Sequence, residues 1–333
     1  MGKPITTAFL LTAGVGSRLR PFTDSLPKPS LPFLNLPMVD YGFYLAYQAG
    51  FQNFLFNYHH LPKRLLKDIG SLFPFCEQHE LLDETAELLG SGGAIANAKG
   101  FLKNEDAFLI ANGDELLIPS DAQALLHLRE QFTADAALCT LLTCDLPASR
   151  KGQGALWVDD SGKVLDIGVG DETTPGTAVH YTGYKIFSRR ILDFLPEGES
   201  HIFYPILKEA IAHGEKVTTY HISDCQWFES GNWKELIEAT RVCLLQYQET
   251  PYLKAIHRFY QLNPMEVIQV GTNALMKPKG MDLPHDLKWS GAVVIDEDVS
   301  IGPKVELKNV ICEKGAQLKG GELYKDQFIF ANP

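Results

Sequence analysis

The chain has 333 residues, 45% of them apolar, enough to bury one large α/β core and a smaller one. Its net charge of −11, from 41 acidic against 30 basic side chains, argues against general nucleic-acid binding, which needs a basic surface. The six cysteines (Cys76, Cys139, Cys144, Cys225, Cys243 and Cys312) form no C-x-x-C pair, no apolar run reaches membrane-spanning length, and no signal pattern opens the chain, so the expectation is a cytoplasmic protein with no membrane partner.

Residues 8–11 are an apolar run that reads as a buried first strand. It leads into Leu11-Thr12-Ala13-Gly14-Val15-Gly16-Ser17-Arg18-Leu19-Arg20-Pro21-Phe22-Thr23, followed by Pro27-Lys28-Pro29. Gly14 and Gly16 let the backbone come close to a ligand, and successive N–H groups in such a turn make a concave anion site. Arg18 and Lys28 add fixed positive charge, while Arg20 is read as solvent-facing or supporting. The loop suits a triphosphate. It is neither a Walker A loop nor a dinucleotide fingerprint: the place where the third glycine would stand is Leu19, and Pro21 interrupts soon after.

Next the pattern gives a helix over 39–48, a strand over 53–58, a short helix over 63–69 and a helix over 92–99. A buried strand over 107–111 ends at Asn112-Gly113-Asp114, then come a helix over 121–131 and a strand over 136–143. This βαβα order predicts an α/β fold with a mostly parallel sheet and helices on both faces. Ligands sit at the carboxyl ends of such strands, where both the glycine loop and Asp114 fall. Asp114 is a natural Mg²⁺ ligand there, or else caps the following turn.

From about residue 150 the texture changes. Residues 155–158 and 164–167 read as a β-hairpin, 180–187 as a strand and 217–222 as another. Residues 203–213 read as an amphipathic helix with Ile206, Leu207, Ala210 and Ile211 on one face, and 233–246 as a closing helix. This gives a first domain over 1–246, in halves of about 1–150 and 151–246. An irregular connector over 247–285 follows, with a helix around 252–260, and then a short domain over 286–333. In that domain Val293, Val299, Val305 and Ile311 stand six apart, echoed by Ile295, Ile301 and Leu307. The spacing fits the hexapeptide repeat of a left-handed parallel β-helix, against the alternative of two antiparallel hairpins. The tract is short, which suits packing or a homo-oligomer contact.

The pattern Gly14-x-Gly16-x-Arg18-Leu19-x-Pro21-x-Thr23…Pro27-Lys28-Pro29, continued through Leu36-Pro37-Met38-Val39-Asp40-Tyr41, resembles the sugar-1-phosphate nucleotidylyltransferases (NDP-sugar pyrophosphorylases). The resemblance covers roughly residues 5 to 245. It implies a Rossmann-like fold of the nucleotide-diphospho-sugar transferase type. It also implies transfer of a nucleotidyl group from an NTP to a sugar 1-phosphate, with Mg²⁺ as cofactor and pyrophosphate released.

Residue by residue, the resemblance places Leu11, Ala13, Gly14 and Gly16 at the nucleotide. Arg18 falls on the β/γ-phosphates and Lys28 on the reacting phosphates; the plainer alternatives are a surface ion pair and a solvated lysine. Asp114 matches the family's metal aspartate. Glu229, in Trp227-Phe228-Glu229-Ser230-Gly231, stands where a second metal aspartate is usual, and its extra methylene moves the carboxylate outward.

Leu89-Gly90-Ser91-Gly92-Gly93-Ala94-Ile95 resembles the base-binding turn before a helix, with Glu87 and Gly92 at contact positions. A carboxylate at 87 suits guanine's N–H donors. Thr182 and Gly183 take the place of the sugar-binding N-A-G run. The sugar-side lysine of the family is absent from Ile167-Gly168-Val169-Gly170-Asp171-Glu172. Its loss resembles the muramic-acid-1-phosphate uridylyltransferases, whereas the glycine turn resembles the mannose- and heptose-1-phosphate guanylyltransferases, so GTP and UTP both stay open. Two rival readings are a catalytically weak nucleotide-sugar-binding regulator and a CTP-dependent cytidylyltransferase acting on a non-sugar phosphate.

Overall fold

The computed structural model describes residues 3–147, 154–170, 173–196 and 198–331, so the lysine-free stretch at Asp171 and Glu172 lies outside the described residues. The chain divides into two compact units, one of residues 1–15 with 42–227 and one of residues 16–41 with 228–333. Among the described residues no helix is long and apolar enough to cross a membrane.

The first unit is built on a nine-stranded sheet. Its centre is Thr7–Leu11, parallel to Asn53–Tyr58 on one side and to Ala107–Asn112 on the other. A strand paired on both sides and covered on both faces must be continuously apolar, and Ala8, Phe9 and Leu10 are fully buried. Gln78–Asp83 extends the parallel row as a mostly exposed edge strand. This is the parallel centre that the βαβα pattern predicts.

The second half of the sheet is mixed: Val217–His221 runs parallel to Cys139–Asp145, and the other pairings are antiparallel. Thr177–Ser188 runs against Ala107–Asn112 and Cys139–Asp145, and its first residues pair with Ala155–Val158 of the expected hairpin. Its register against Cys139–Asp145 shifts between Tyr181 and Lys185, where Thr182 and Gly183 stand. Phe9, Ile110 and Phe187 from the sheet, Ile95 from helix Gly90–Asn97, and Ile202 and Ile206 form one apolar core. The expected amphipathic helix over 203–213 is present in two parts, a wider π-helical stretch, Ile202–Leu207, and a short α-helix, Lys208–Ala212, with Ile206, Leu207 and Ala210 buried. Pro205 explains this, since it lacks the N–H that a regular helix would use and its ring crowds the preceding turn.

In the second unit, Gly16–Tyr41 runs through three tight turns, Ser17–Leu19, Phe22–Asp24 and Lys28–Ser30. Phe22 packs at 4.9 Å from the Trp233 ring and 5.2 Å from Phe328. Helix Trp233–Leu245 starts at Asn232, whose side chain accepts from the Glu235 N–H. Helix Pro251–Phe259 follows. After it comes a hairpin, Met265–Val270 with Asn273–Pro278, where the sequence reading had an irregular connector. The signal for it was present: Gly271-Thr272 between two apolar runs is a two-residue hairpin loop.

From there the chain coils. Asn273–Pro278, Lys288–Ile295, Glu306–Cys312 and Leu323–Ile329 stack in parallel, each about 18 residues beyond the last, and Ser300–Ile301 pairs in parallel with Gln317–Leu318. These ladders exclude the antiparallel hairpins. Val293, Val299, Val305, Val310 and Leu318 fill the interior. One corner carries a side-chain ladder: Asn273 accepts from the Gly291 N–H (2.7 Å), Asn309 accepts from the Ala292 N–H (3.2 Å), and the Asn309 amide donates to Asp326 (2.8 Å). Asn309→Ala should lower the urea stability of the full chain by about 1–2 kcal/mol, since it removes two hydrogen bonds and strands a backbone N–H; an unchanged midpoint would remove the ladder from the account.

Candidate active site

At the carboxyl edge of the first unit's sheet, four parallel strands end in register. Leu11 lies opposite Asn112, Leu10 opposite Phe56, and Tyr58 opposite Asp83. Side chains tie these ends together. The Thr12 N–H donates to the Asn57 carboxamide (2.7 Å), and the Thr12 hydroxyl donates to the Asn57 carbonyl. Asn57 Nδ2 donates to Glu84 (2.8 Å), and the other Glu84 oxygen accepts from the Leu89 N–H (3.3 Å). Burial pushes the Glu84 carboxyl above the usual range, against these two hydrogen bonds. The exit of the first strand is thus fixed to the turn that opens helix Gly90–Asn97. Asn57 and Glu84 were not singled out from sequence. Their signal was a polar residue at or just past the end of an apolar strand.

Leu11 is half-buried and Ala13 buried, while Gly14 is exposed with open space where a side chain would stand. Asp114 is brought to the same edge by Gly113, whose N–H donates to the Leu11 carbonyl at 2.9 Å. A Cβ on Gly113 would stand 2.4 Å from Thr12 Cγ2, so only glycine allows this approach. Glu87 is exposed on the turn before the helix. Gly92 lies inside it, with its N–H donated to the Ser200 carbonyl (2.8 Å).

In the second unit, Gly16 adopts φ +66°, and a Cβ there would meet Lys28 Cβ at 2.8 Å. Glycine is required on both counts. Thr23 closes the loop by donating to the Gly16 carbonyl (3.0 Å). Lys28 is 9% exposed, its stem packed and its backbone set between two prolines. Arg18 is the opposite case: its side chain is 71% exposed, with its guanidinium 4.0 Å from the Glu229 carboxylate. That ion pair is solvent-screened and contributes little to stability. An exposed arginine held beside a carboxylate is available to an incoming anion.

The strand Thr177–Ser188 carries the expected sugar-side residues. The Thr182 hydroxyl donates to the Leu142 carbonyl (2.9 Å), and Gly183 lies against Glu115. Glu115, directly after Asp114, accepts from Asn112 (3.0 Å) and from the Trp227 indole (3.1 Å), and His180 packs 4.0 Å from the Trp227 ring. Lys185 is buried, donating to the Tyr181 hydroxyl at 2.7 Å. Burial pushes its ammonium down to about 8, opposed by Glu115. Glu115 and Lys185 were also missed from sequence. A lysine two residues beyond a glycine in an otherwise apolar strand was the available sign.

Among the described residues no group of three or more His, Cys, Asp and Glu forms a metal cage. Mg²⁺ does not need one: it binds through one or two carboxylates plus substrate phosphates and waters. Asp114, half-buried at a strand end, fits that donor set.

The family model described as nucleotidyl transferase matches residues 7–245. Among curated proteins, the mannose-1-phosphate guanylyltransferase of Mycobacterium tuberculosis is 25% identical over 315 residues, covering 94% of this chain and 81% of that protein. The UTP--glucose-1-phosphate uridylyltransferase of Synechocystis sp. is 28% identical over 206 residues, covering 58% of this chain and 52% of its own length. Among solved structures, UDP-glucose pyrophosphorylase complexed with UDP-glucose superposes with a TM-score of 0.62 at 18% identity, over 74% of this chain and 100% of that one. This last likeness establishes a shared fold.

The Lys185 environment predicts a pH signature. Its pKa is lower in the folded chain than in the unfolded one. From about pH 8 to 10 the unfolded chain therefore holds a proton that the folded chain lacks, and stability rises with pH. Relative to Lys185→Met, the native chain should gain roughly 3 kcal/mol across that window in urea titrations. A pH-independent difference would contradict the buried ammonium.

Proposed function

We propose that this chain, which belongs to the nucleotidyl transferase family, transfers a nucleotidyl group from an NTP to a sugar 1-phosphate and releases pyrophosphate. The observation that carries the reading is the loop in which Gly16, at φ +66°, packs against the stem of Lys28. Such a loop holds one ammonium in a fixed place beside backbone N–H groups, as a polyphosphate requires. The names of the relatives, guanylyl- and uridylyltransferases of sugar 1-phosphates, support the same reaction class.

In this reaction a sugar-phosphate oxygen attacks the α-phosphorus and the β-phosphate oxygen leaves in line. Two polyanions must meet, so charge neutralisation and alignment lower the barrier, with little proton transfer. Lys28 binds the reacting phosphates, and Arg18, exposed, binds the β/γ-phosphates and the departing pyrophosphate. Leu11, Ala13, Gly14 and Gly16 line the nucleotide. Asp114 would hold Mg²⁺, with Glu229 as a further carboxylate, and the ion would supply charge neutralisation at the phosphates. Thr182 and Gly183 line the sugar. The turn from Glu87 to Gly92 receives the base, and the exposed Glu87 carboxylate favours GTP, since guanine presents two N–H donors to it. The stacked coils after residue 286 are proposed to wind as a left-handed β-helix serving subunit contact.

The test is pyrophosphate release from each NTP with a panel of sugar 1-phosphates and Mg²⁺. The expected result is release that needs both substrates and is greatest with GTP. Lys28→Ala and Asp114→Ala should each lower kcat by about 10²-fold or more while thermal unfolding is unchanged. Near-normal turnover in either variant would remove that residue from the mechanism. No release with any pair would favour the nucleotide-sugar-binding regulator, and release only with CTP and an alcohol phosphate would favour the cytidylyltransferase.

A further inference from the structure

Helix Pro251–Phe259 carries Lys254 and Arg258 one turn apart, and both line a cavity of about 510 Å³. Pro251 and His257 of the same helix line it too, with residues 247–248 before the helix and 262–265 after it. Lys254 Nζ donates to the Gln248 carbonyl (2.7 Å) and Arg258 Nε to the Lys254 carbonyl (3.3 Å). Among the described residues neither cation has a carboxylate partner. Like charges at this spacing repel and destabilise the helix slightly. In a chain of net charge −11, an unmatched pair of this kind lining one cavity stands out.

No carboxylate lines the cavity. Asn263, at its edge, donates to the Glu297 carboxylate, which Lys314 matches at 2.6 Å. The wall is otherwise neutral: His257 is buried against the Tyr247 hydroxyl (2.8 Å), and burial pushes its imidazole down to about 4. Pro251, Pro264 and Met265 give apolar surface. The volume is in the range of small-molecule sites and far exceeds what a bare ion fills.

We propose that this cavity is a second ligand site, which binds a phosphate ester through Lys254 and Arg258 and packs the body of the ester against Pro251, Pro264 and Met265. None of its residues has a role in nucleotidyl transfer, so the proposal stands apart from that reading. Two charge-assisted contacts to a phosphate make binding salt-sensitive.

Calorimetric titration of the full chain with glucose 6-phosphate, GMP and inorganic phosphate tests it. The Lys28→Ala background weakens binding at the reaction's own loop. At least one ester should bind this background more tightly than inorganic phosphate does. Adding Lys254→Gln and Arg258→Gln should weaken that ester by about tenfold or more with circular dichroism unchanged. Tighter binding of glucose 6-phosphate assigns the body as a sugar, and tighter binding of GMP assigns it as a nucleoside. No binding of any probe, binding that the double substitution leaves unchanged, or inorganic phosphate binding as tightly as both esters would overturn the proposal.

Discussion

The first unit depends on one hydrogen-bonded chain, Thr12 to Asn57 to Glu84 to the Leu89 N–H. Parallel strands end with backbone groups that no neighbouring strand satisfies, and leaving such groups buried and unpaired costs on the order of 1–3 kcal/mol each. Here three consecutive strand ends share side chains that satisfy them. Asn57 is bivalent: its carbonyl oxygen accepts from Thr12 while its amide donates to Glu84, so neither strand end can shift alone. Glu84 is kept in a costly position, its carboxyl raised by burial, because its two oxygens hold Asn57 and the turn at Leu89. By the same linkage its contribution to stability is largest below the ordinary glutamate range and fades as pH rises through its elevated folded value.

The same edge explains the placing of the other polar groups. Gly113 brings the chain against Leu11 and Thr12, which puts Asp114 at the end of its strand and Glu115 beside the register shift at Gly183. Glu115 is in turn held by Asn112 and Trp227. Lys28 is fixed differently, by steric fit against Gly16 and by flanking prolines. In both places glycine provides approach and a bulkier neighbour provides rigidity.

Much of this was legible in the sequence. The central parallel strands are continuous apolar runs, so the strand over 53–58 was read at its full extent and the first strand within one residue. The tight loop around Gly16 and the strand-end place of Asp114 were legible because glycine and proline spacing records backbone demands directly. The positioning residues were not. Asn57, Glu84, Glu115 and Lys185 act through partners far away in sequence, and a lone polar residue in or beside an apolar strand does not say whom it meets. The segment after Ile202 was legible as helical from its apolar spacing, but not the π-helical form of its first part, where Pro205 lacks the N–H of a regular turn. In the last residues the six-residue period placed Val293, Val299 and Val305 in the apolar interior, but Val310 and Cys312 stand there in place of Ile311, because the register shifts by one residue.

The account rests on the loop around Gly16 and Lys28 serving nucleotidyl transfer, and the fate of the α-phosphorus tests that most directly. With GTP labelled at the α-phosphorus, Mg²⁺ and a sugar 1-phosphate, the label should appear in a sugar nucleotide, with unlabelled pyrophosphate in equal amount. Label recovered only as nucleoside monophosphate, or left in unreacted triphosphate with every NTP and sugar 1-phosphate tried, would contradict it.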